Sequence, residues 1–371
     1  MWLLYLIAAL PILAWAIVFY MDRKVTWWEW LGGSVVGFIV AGIFHLITVF
    51  GMTADTQTLS GEITTATHYP RWVEEYEETH SETTTDSHGH SHTRYWTTTE
   101  HRTHSEHWGC EDNLGRSLDI TESFFEQIRQ NFNSLDTETP YKSGFYSGDK
   151  HTYVSHNRTG YLYPVTALRT FENRIKAAPS VFSFVKVPTN VAVFAYPANQ
   201  DWLASNRLLG TAGASIDLFE WDRMNARLGP SKRVNVIAIG FTGLDSSIGD
   251  WQQAAYIGGK KNDLVITYGG SDPLHPQWVK VFGWTEAELV KRNLETIILR
   301  NPFDTSILPL LEKEIRQNYQ LKDWHKFDYI TVEPPGWSYL ILLLVMAVAQ
   351  GGLMFLVNSD SFRDQFGDFE R

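Results

Sequence analysis

The residues best suited to metal chemistry are histidines concentrated in one short stretch of the chain. Seven histidines and the single cysteine fall between positions 80 and 110: His80, His88, His90, His92, His101, His104, His107 and Cys110. Neutral imidazoles and a thiolate bind Zn²⁺ and other divalent transition metals well. The spacing matches no zinc-finger pattern. The stretch predicts either a site for zinc or another divalent metal, or a polar, solvated insert.

A second set of candidate residues combines carboxylates with lysines near two predicted strands. Asp245 and Asp250 follow an apolar run at 234–241, and Lys260, Lys261 and Asp263 precede another at 264–268. Lysines can hold a phosphate and aspartates a hard cation, and ligand sites in α/β domains form at strand ends. These five residues are the candidate catalytic residues of a metal-dependent hydrolase. A simple turn at 258–263 is the alternative.

Other catalytic and cofactor motifs are missing from the sequence. It contains no G-x-S-x-G, no H-E-x-x-H and no G-x-x-x-x-G-K-[ST] motif. These absences do not exclude an enzyme, but nothing in these motifs indicates one, and a protein without enzymatic activity is the favoured expectation. No residue is assigned to an organic cofactor. The formal net charge of −11 argues against a nucleic-acid partner, because such proteins carry a basic face.

Three long apolar segments enclose the region that holds these candidates. Residues 2–20 and 337–357 carry no charge, and residues 27–50 carry only Glu29 and His45 as ionisable groups. A helix of about 20 apolar residues crosses a bilayer. The sequence therefore predicts three transmembrane helices with the lipid bilayer as a partner. The outer region at 51–335 and a tail at 358–371 make up the rest of the chain.

Basic residues between the first two segments indicate the orientation. Arg23 and Lys24 lie in a very short loop, and short basic loops stay cytoplasmic. The N-terminus and residues 51–335 are then extracytoplasmic and the C-terminal tail is cytoplasmic, with the inverted orientation as the alternative. Gly33, Gly37 and Ala41 recur every four residues in the second segment. This spacing predicts a packing face against the first segment or another copy.

The first part of the outer region, residues 51–112, is rich in threonine, glutamate and histidine. Within it, residues 72–84 and 93–108 read as two long strands around a turn, which predicts a projecting, β-rich hairpin. A disordered segment is the alternative, because few of these residues could be buried. Residues 113–180 are mixed in composition, with an amphipathic helix predicted at 120–132.

Strand and helix patterns alternate between residues 181 and 333. Strands are predicted at 181–195, 234–241, 264–268 and 278–283, and helices at 215–228, after 288 and across 308–319. Ser215 is the predicted cap of the first helix and Gly229-Pro230 its stop. Thr285 and Glu288 form a predicted capping box for the second helix. Such alternation predicts an α/β domain.

The α/β region resembles the TPM domain in three segments: VNVIAIG (234–240), GGKKNDLVI (258–266) and WVKVFGWTEAEL (278–289). The resemblance covers about residues 191–330 and implies a three-layer α/β/α fold on the outer side of a membrane. Some TPM domains are acid phosphatases, and some bind a divalent cation near the aspartate of a K-N-D-G turn. That aspartate corresponds to Asp263, although Leu264 stands where the family has glycine.

Over its full length the chain also resembles three-span membrane proteins encoded by tailed bacteriophages. The likeness lies in two N-terminal spans, one C-terminal span and segments such as IKAAPSVFSF (175–184) and GGKKNDLVI. It implies insertion into the inner membrane of a bacterial host, with residues 51–335 in the periplasm. It implies no particular activity. Members of that group carry cysteines where this chain has histidines at 80–110.

Together these features predict a membrane-anchored binding protein. The expected role is a phage-encoded protein whose outer domain binds another membrane or envelope protein, or a second copy of itself. Envelope modification, superinfection exclusion, lysis and assembly are the roles that fit. Two alternatives remain: a metal-dependent, phosphatase-like hydrolase on the TPM-like domain, and a metal-binding protein built on the histidine cluster.

Overall fold

The computed structural model describes residues 2–21, 26–85, 87–131, 137–139, 151–155, 163–198, 202 and 206–359. Its helices are α1 (Trp2–Met21), α2 (Trp27–Thr53), α3 (Glu122–Asn131), α4 (Arg174–Ala177), α5 (Ala212–Ser215), α6 (Leu218–Lys232), α7 (Ser247–Ala255), α8 (Leu289–Arg300), α9 (Leu308–Asn318) and α10 (Gly336–Asn358). Its strands are β1 (Ala54–Tyr69), β2 (Trp72–Thr85), β3 (Ser91–His104), β4 (His107–Asp112), β5 (Ser117–Ile120), β6 (Thr137–Thr139), β7 (His151–Ser155), β8 (Pro164–Glu172), β9 (Leu208–Gly210), β10 (Asn235–Thr242), β11 (Asp263–Gly270) and β12 (Trp278–Gly283).

The chain folds into two compact units. The membrane unit comprises Met1–Thr56, Thr170–Lys186 and Asp323–Arg371, and the sheet unit comprises Gln57–Arg169 and Val187–Lys322. The mixed α/β composition that the sequence predicts is confirmed.

Three helices of the membrane unit are long and apolar enough to cross a membrane. They span Leu3–Met21, Trp27–Thr53 and Gly336–Val357, which confirms the three apolar segments predicted from the sequence. A capping box starts α2, since Thr26 accepts from the Glu29 backbone N–H and the Glu29 carboxylate accepts from that of Thr26. Arg23 and Lys24, on which the predicted orientation rests, lie outside the described residues.

Close packing and one polar side chain join the three membrane helices. Gly33, Gly37 and Ala41 are buried, and a Cβ on Gly33 would fall under 3.0 Å from the Trp15 indole of α1. The Gln350 side chain of α10 accepts a hydrogen bond from Trp15 Nε1 (2.6 Å) and donates one to the Gly33 carbonyl (3.1 Å). Small residues on α2 therefore let the helices approach closely, as the four-residue spacing predicts.

The first sheet of the sheet unit is built around the long strand β1. Its order is β5-β4-β1-β7-β6, and β8 also pairs with β1. Helix α3 covers it with Phe125 and Ile128, which pack on Ile63, Ala66 and Cys110. The helix predicted at 120–132 is thus confirmed, and its apolar face forms a small core.

Strands β2 and β3 form a separate two-stranded hairpin. Fourteen residues of each strand pair, from Trp72↔His104 to Thr85↔Ser91. No residue of either strand is buried. The structure thus contains the predicted hairpin, but its second strand ends at His104, and residues 107–108 of the predicted strand belong to β4 in the other sheet. Both faces of the hairpin are open to solvent.

A four-stranded sheet of order β12-β11-β10-β9 forms the main core. Strands β9, β10 and β11 are parallel and β12 is antiparallel. One face of β10, with Val236 and Ala238, packs against α6, α8 and α9. The other face, with Ile237 and Ile239, packs against α7 and an irregular segment at 191–196. A single helix and this segment cover that face, so the three-layer α/β/α arrangement stays a prediction.

Several local predictions for this region are wrong. Residues 181–195 do not form strands, since a 3₁₀ turn at Pro179–Val181 leads into irregular backbone. The cap of α6 is Asp217, whose side chain accepts from the Glu220 N–H, and Ser215 belongs to α5. The helix also continues through Gly229-Pro230 and ends at Lys232. The next residue, Arg233, caps it in a left-handed conformation with φ of 54°.

The predicted capping box at Thr285–Glu288 is wrong as well. The Thr285 hydroxyl donates to the Gln320 carbonyl (2.8 Å) and accepts from the Ala287 N–H. Helix α8 begins later, with Glu288 as a cap residue that makes no side-chain cap bond. The Thr285 hydroxyl thus bonds to a residue that is distant in the sequence, Gln320, instead of capping α8.

Candidate functional sites

The structure distributes the predicted histidine ligands over three places. His80 lies on β2, and His92, His101 and His104 lie on β3. His88 and His90 belong to the turn at 87–90, and His107 lies on β4 in the other sheet. His101 is paired with Glu75 and His104 contacts Glu74, so these two histidines lie on opposite faces of the hairpin. Residues three apart on a strand point to opposite sides, which is why the spacing does not gather them.

Cys110, the predicted thiolate ligand, is buried in the core of the first sheet. Only 2% of its surface is exposed, beside Ile63 and Ala66. Burial, reinforced by the nearby Asp112 carboxylate, raises the pKa of its thiol to about 12. The thiol is therefore protonated at neutral pH, and its surroundings suit a packing role better than metal binding.

A smaller cluster on the hairpin does bring metal ligands together. Glu78 and His80 of β2 and Glu100 of β3 each place one ligand atom within 4.8 Å of the other two. This is the one such group of three or more His, Cys, Asp or Glu side chains found among the residues that the structure describes. The histidine spacing in the sequence points to His80 but not to the two glutamates. The alternation of Glu78 with His80 on the predicted strand was the available signal.

The predicted catalytic Asp263 is a fully buried structural residue at the start of β11. Its Oδ1 accepts hydrogen bonds from Asn235 Nδ2 (2.8 Å) and the Tyr196 hydroxyl (3.1 Å), and its Oδ2 accepts from the Lys260 backbone N–H (2.8 Å). Burial raises its pKa, and these three hydrogen bonds act in the opposite direction. Four groups thus close a local network that holds the 258–263 turn. The Lys260 ammonium lies over the Tyr196 ring at 4.3 Å, and Lys261 is half-buried in the same turn.

Asp245 lies at the opposite end of the sheet from Asp263, and Asp250 lies on α7, where it pairs with Lys280 opposite Thr267 in the middle of β11. Strands β10 and β11 run parallel with Asn235 beside Asp263 and Thr242 beside Gly270, so Asp245 follows the far end. Eight strand residues span roughly 25 Å. Asp245 accepts from the Ser247 backbone N–H, and Asp250 pairs with Lys280. A hydrolase site would need these three aspartates in one cleft. The structure does not bring them together, because Asp263 begins β11, Asp245 follows the end of β10 and Asp250 lies on α7.

A groove of about 690 Å³ runs along the outer edge of β12, between α7 and α8. Its lining includes Val279, Lys280, Val281 and Phe282 of β12. The remaining lining residues are Ser246, Asp250, Gln253, Glu288, Leu289, Lys291, Arg292 and Glu295. The outward backbone N–H of Val281 donates to Glu295 Oε1 (3.0 Å), so a side-chain oxygen stands where a neighbouring strand's carbonyl would lie. The groove is not predictable from the sequence, because nothing in the sequence shows that β12 is an edge strand.

Comparison of the chain with protein-family models, with curated proteins and with solved structures finds no match. The likenesses to TPM domains and to phage membrane proteins therefore rest on the sequence segments quoted above.

Proposed function

We propose that this protein is a membrane-anchored binding protein whose sheet unit captures an extended polypeptide segment of another envelope protein. The groove along the edge of β12 is the observation that carries the proposal. The three apolar helices supply the anchor. The sequence resemblances and the basic loop support the further proposal of a phage-encoded component of the bacterial inner membrane with its outer domain in the periplasm. There it modifies the envelope, excludes other phages, or assists lysis or assembly.

The edge of β12 has the chemistry that an added strand requires. An edge strand presents backbone N–H and C=O groups to which an extended peptide can bind by strand addition. β11 pairs with one side of β12, and the groove lies along the other. The outward Val281 N–H donates to Glu295 Oε1, so this donor points in the direction that an added strand would occupy. An incoming carbonyl would replace that carboxylate.

The groove lining favours a polar segment that carries both signs of charge. The lining holds three ion pairs: Asp250 with Lys280, Glu288 with Lys291 (2.7 Å) and Glu295 with Arg292 (2.8 Å). Leu289 adds an apolar surface that is 69% exposed. A segment with alternating charges and one apolar side chain complements this lining. The separation of the three candidate aspartates supports binding over the hydrolase alternative.

Photo-crosslinking in living cells tests the proposal. A photoreactive amino acid replaces Leu289, which lines the groove, and in a matched variant it replaces Leu299, which is 50% exposed on the same helix outside the groove lining. We expect a discrete crosslinked product from position 289 and none from position 299, with the crosslinked residue of the partner in an extended segment. Equal products from both positions, or none from position 289, would refute the proposal.

A further inference from the structure

The β2–β3 hairpin has no buried face that could stabilise the pairing of its two strands. It pairs fourteen residues per strand, forms a sheet of its own, and buries none of its strand residues. A two-stranded hairpin is marginally stable in water without a packed face. Small folds that lack a core are commonly stabilised by a metal ion or a covalent link.

The twist of the hairpin selects which side chains meet on one of its faces. Glu74 is paired with Arg102 but contacts His104 (2.9 Å). Tyr76 is paired with Glu100 but carries the Arg102 guanidinium over its ring at 5.0 Å. Each contact therefore runs to the residue two positions beyond the direct partner, as a twisted ribbon permits.

The same diagonal rule sets two carboxylates against each other in the middle of the hairpin. Glu78 is paired with Thr98, so its diagonal neighbour is Glu100. Like charges at such positions repel and destabilise the pairing. His80 completes the group, with all three ligand atoms within 4.8 Å of one another. A cation bound between the carboxylates would turn this repulsion into an attraction across the two strands.

We propose that Glu78, His80 and Glu100 form a binding site for a divalent cation, with Zn²⁺ as the best-fitting ion, that ties the two strands of the hairpin together. One imidazole nitrogen and two carboxylate oxygens match the donors that Zn²⁺ accepts. Zinc–ligand distances of about 2.1 Å place tetrahedral ligands about 3.4 Å apart. The observed group thus needs to contract by little more than 1 Å, which rotation of the side chains achieves.

Two neighbouring residues hold the imidazole in place. Trp96 stacks on the His80 ring with centroids 5.5 Å apart and an interplanar angle of 25°. The Thr98 hydroxyl lies 2.7 Å from His80 Nε2 and donates to Glu100 Oε1 (3.2 Å). Such outer contacts orient metal ligands in protein sites. Three protein ligands leave a fourth tetrahedral position for water. The site does not depend on the β12 groove and stands apart from the proposed function.

Hydrogen exchange of the full-length protein in detergent, read by mass spectrometry with Zn²⁺ and with EDTA, tests the site. We expect Zn²⁺ to slow exchange in peptides from β2 and β3 at least tenfold. The effect should vanish in the double variant Glu78→Gln/Glu100→Gln and in His80→Gln. Glu82→Gln, on the same face of β2, is the matched control and should keep the full effect. Exchange in β10 and β11 peptides should stay the same throughout, which shows that each variant is folded.

Titration with Co²⁺ provides a second readout, because a tetrahedral site with nitrogen and oxygen ligands gives a visible absorption band. The band should appear with one equivalent in the wild type and disappear in the Glu78→Gln/Glu100→Gln variant. The proposal is overturned if Zn²⁺ protects no hairpin peptide in the wild type. It is also overturned if protection survives the glutamate substitutions but is lost when His88, His90 and His92 are replaced by glutamine.

Discussion

Replacing Asp222 by leucine should destabilise the sheet unit far more than replacing Asp222 and Arg207 together. Both side chains are 1% exposed, and Arg207 Nη1 donates to Asp222 Oδ1 at 3.0 Å. Arg207 Nη2 donates to the Ser60 hydroxyl (2.8 Å), which ties β1 to the pair. Arg207 Nε and Asp222 Oδ2 have no hydrogen-bond partner among the described residues. The pair is therefore buried and only partly satisfied.

The pKa of Asp222 reflects two opposing effects, the burial of its carboxylate and its attraction to Arg207. Burial raises this pKa to about 6 even though the Arg207 guanidinium acts to lower it. The desolvation of the carboxylate thus exceeds its attraction to Arg207. Asp222→Leu leaves a guanidinium that stays charged without its counterion, at a cost of about 3–5 kcal/mol. The double variant Asp222→Leu/Arg207→Met removes both charges and should be neutral or more stable by about 1–4 kcal/mol.

Urea unfolding of the full-length protein in detergent measures these differences, with hydrogen exchange in β10 peptides as the local probe. Ser60→Ala is the control, because it removes one hydrogen bond to the guanidinium and leaves both charges paired. Its expected cost is about 1.5 kcal/mol. A cost below about 1 kcal/mol for Asp222→Leu, or a double variant as unstable as that single variant, would refute this account of the pair.

Two further predictions concern the membrane helices and the single thiol. Gly33→Ala should destabilise the helix packing by about 1–3 kcal/mol, since its Cβ would fall under 3.0 Å from the fully buried Trp15 ring. Gly42→Ala is the control and should leave the stability unchanged, because an added Cβ at Gly42 would meet no neighbouring atom within 4 Å. Equal losses of stability for the two variants in detergent unfolding would contradict the packing of Gly33 on Trp15. Cys110, with its pKa raised to about 12, should react with iodoacetamide at pH 8 at least 100-fold more slowly in the native protein than in urea, because the thiolate fraction falls as the pKa rises. Similar labelling rates by mass spectrometry would show that the thiol is accessible and ionised.

Elements with a strong periodic pattern were predictable from the sequence. The three membrane helices are uncharged or nearly so over about 20 residues, which only a spanning or fully buried helix permits. The run at 234–241 became β10, whose residues are buried on both faces. Such continuous apolar strands are typical of parallel sheets. The hairpin was predictable because its turn at 87–90 separates two long polar strands of β-branched composition.

The segment at 181–195 shows where apolar composition misleads. Val191, Val193 and Phe194 do pack on the sheet as strand residues would. However, the backbone N–H and C=O of Phe194 bond to the side-chain amide of Gln252 at 2.9 and 3.0 Å. A glutamine of α7 has taken the place of a partner strand. An apolar pattern predicts that such a segment is buried but does not identify its hydrogen-bond partner.

The candidate sites depended on register, which the sequence does not reveal. Asp263 begins β11, whereas Asp245 follows the end of β10, so the parallel pairing of these two strands separates them. Glu78 and Glu100 are 22 positions apart in the sequence and meet through the diagonal neighbours of a twisted hairpin. Once the register is known, both results follow from the geometry of strands.

The contacts of Gln350 impose an order on how the membrane helices assemble. During synthesis, α1 and α2 enter the bilayer nearly 300 residues before α10. Until α10 arrives, the Trp15 indole N–H lacks the acceptor that Gln350 supplies. An unsatisfied donor is costly in hydrocarbon. The packing of the first two helices is therefore completed late, because the nearly 300 residues between α2 and α10 must be translated before Gln350 can supply this acceptor.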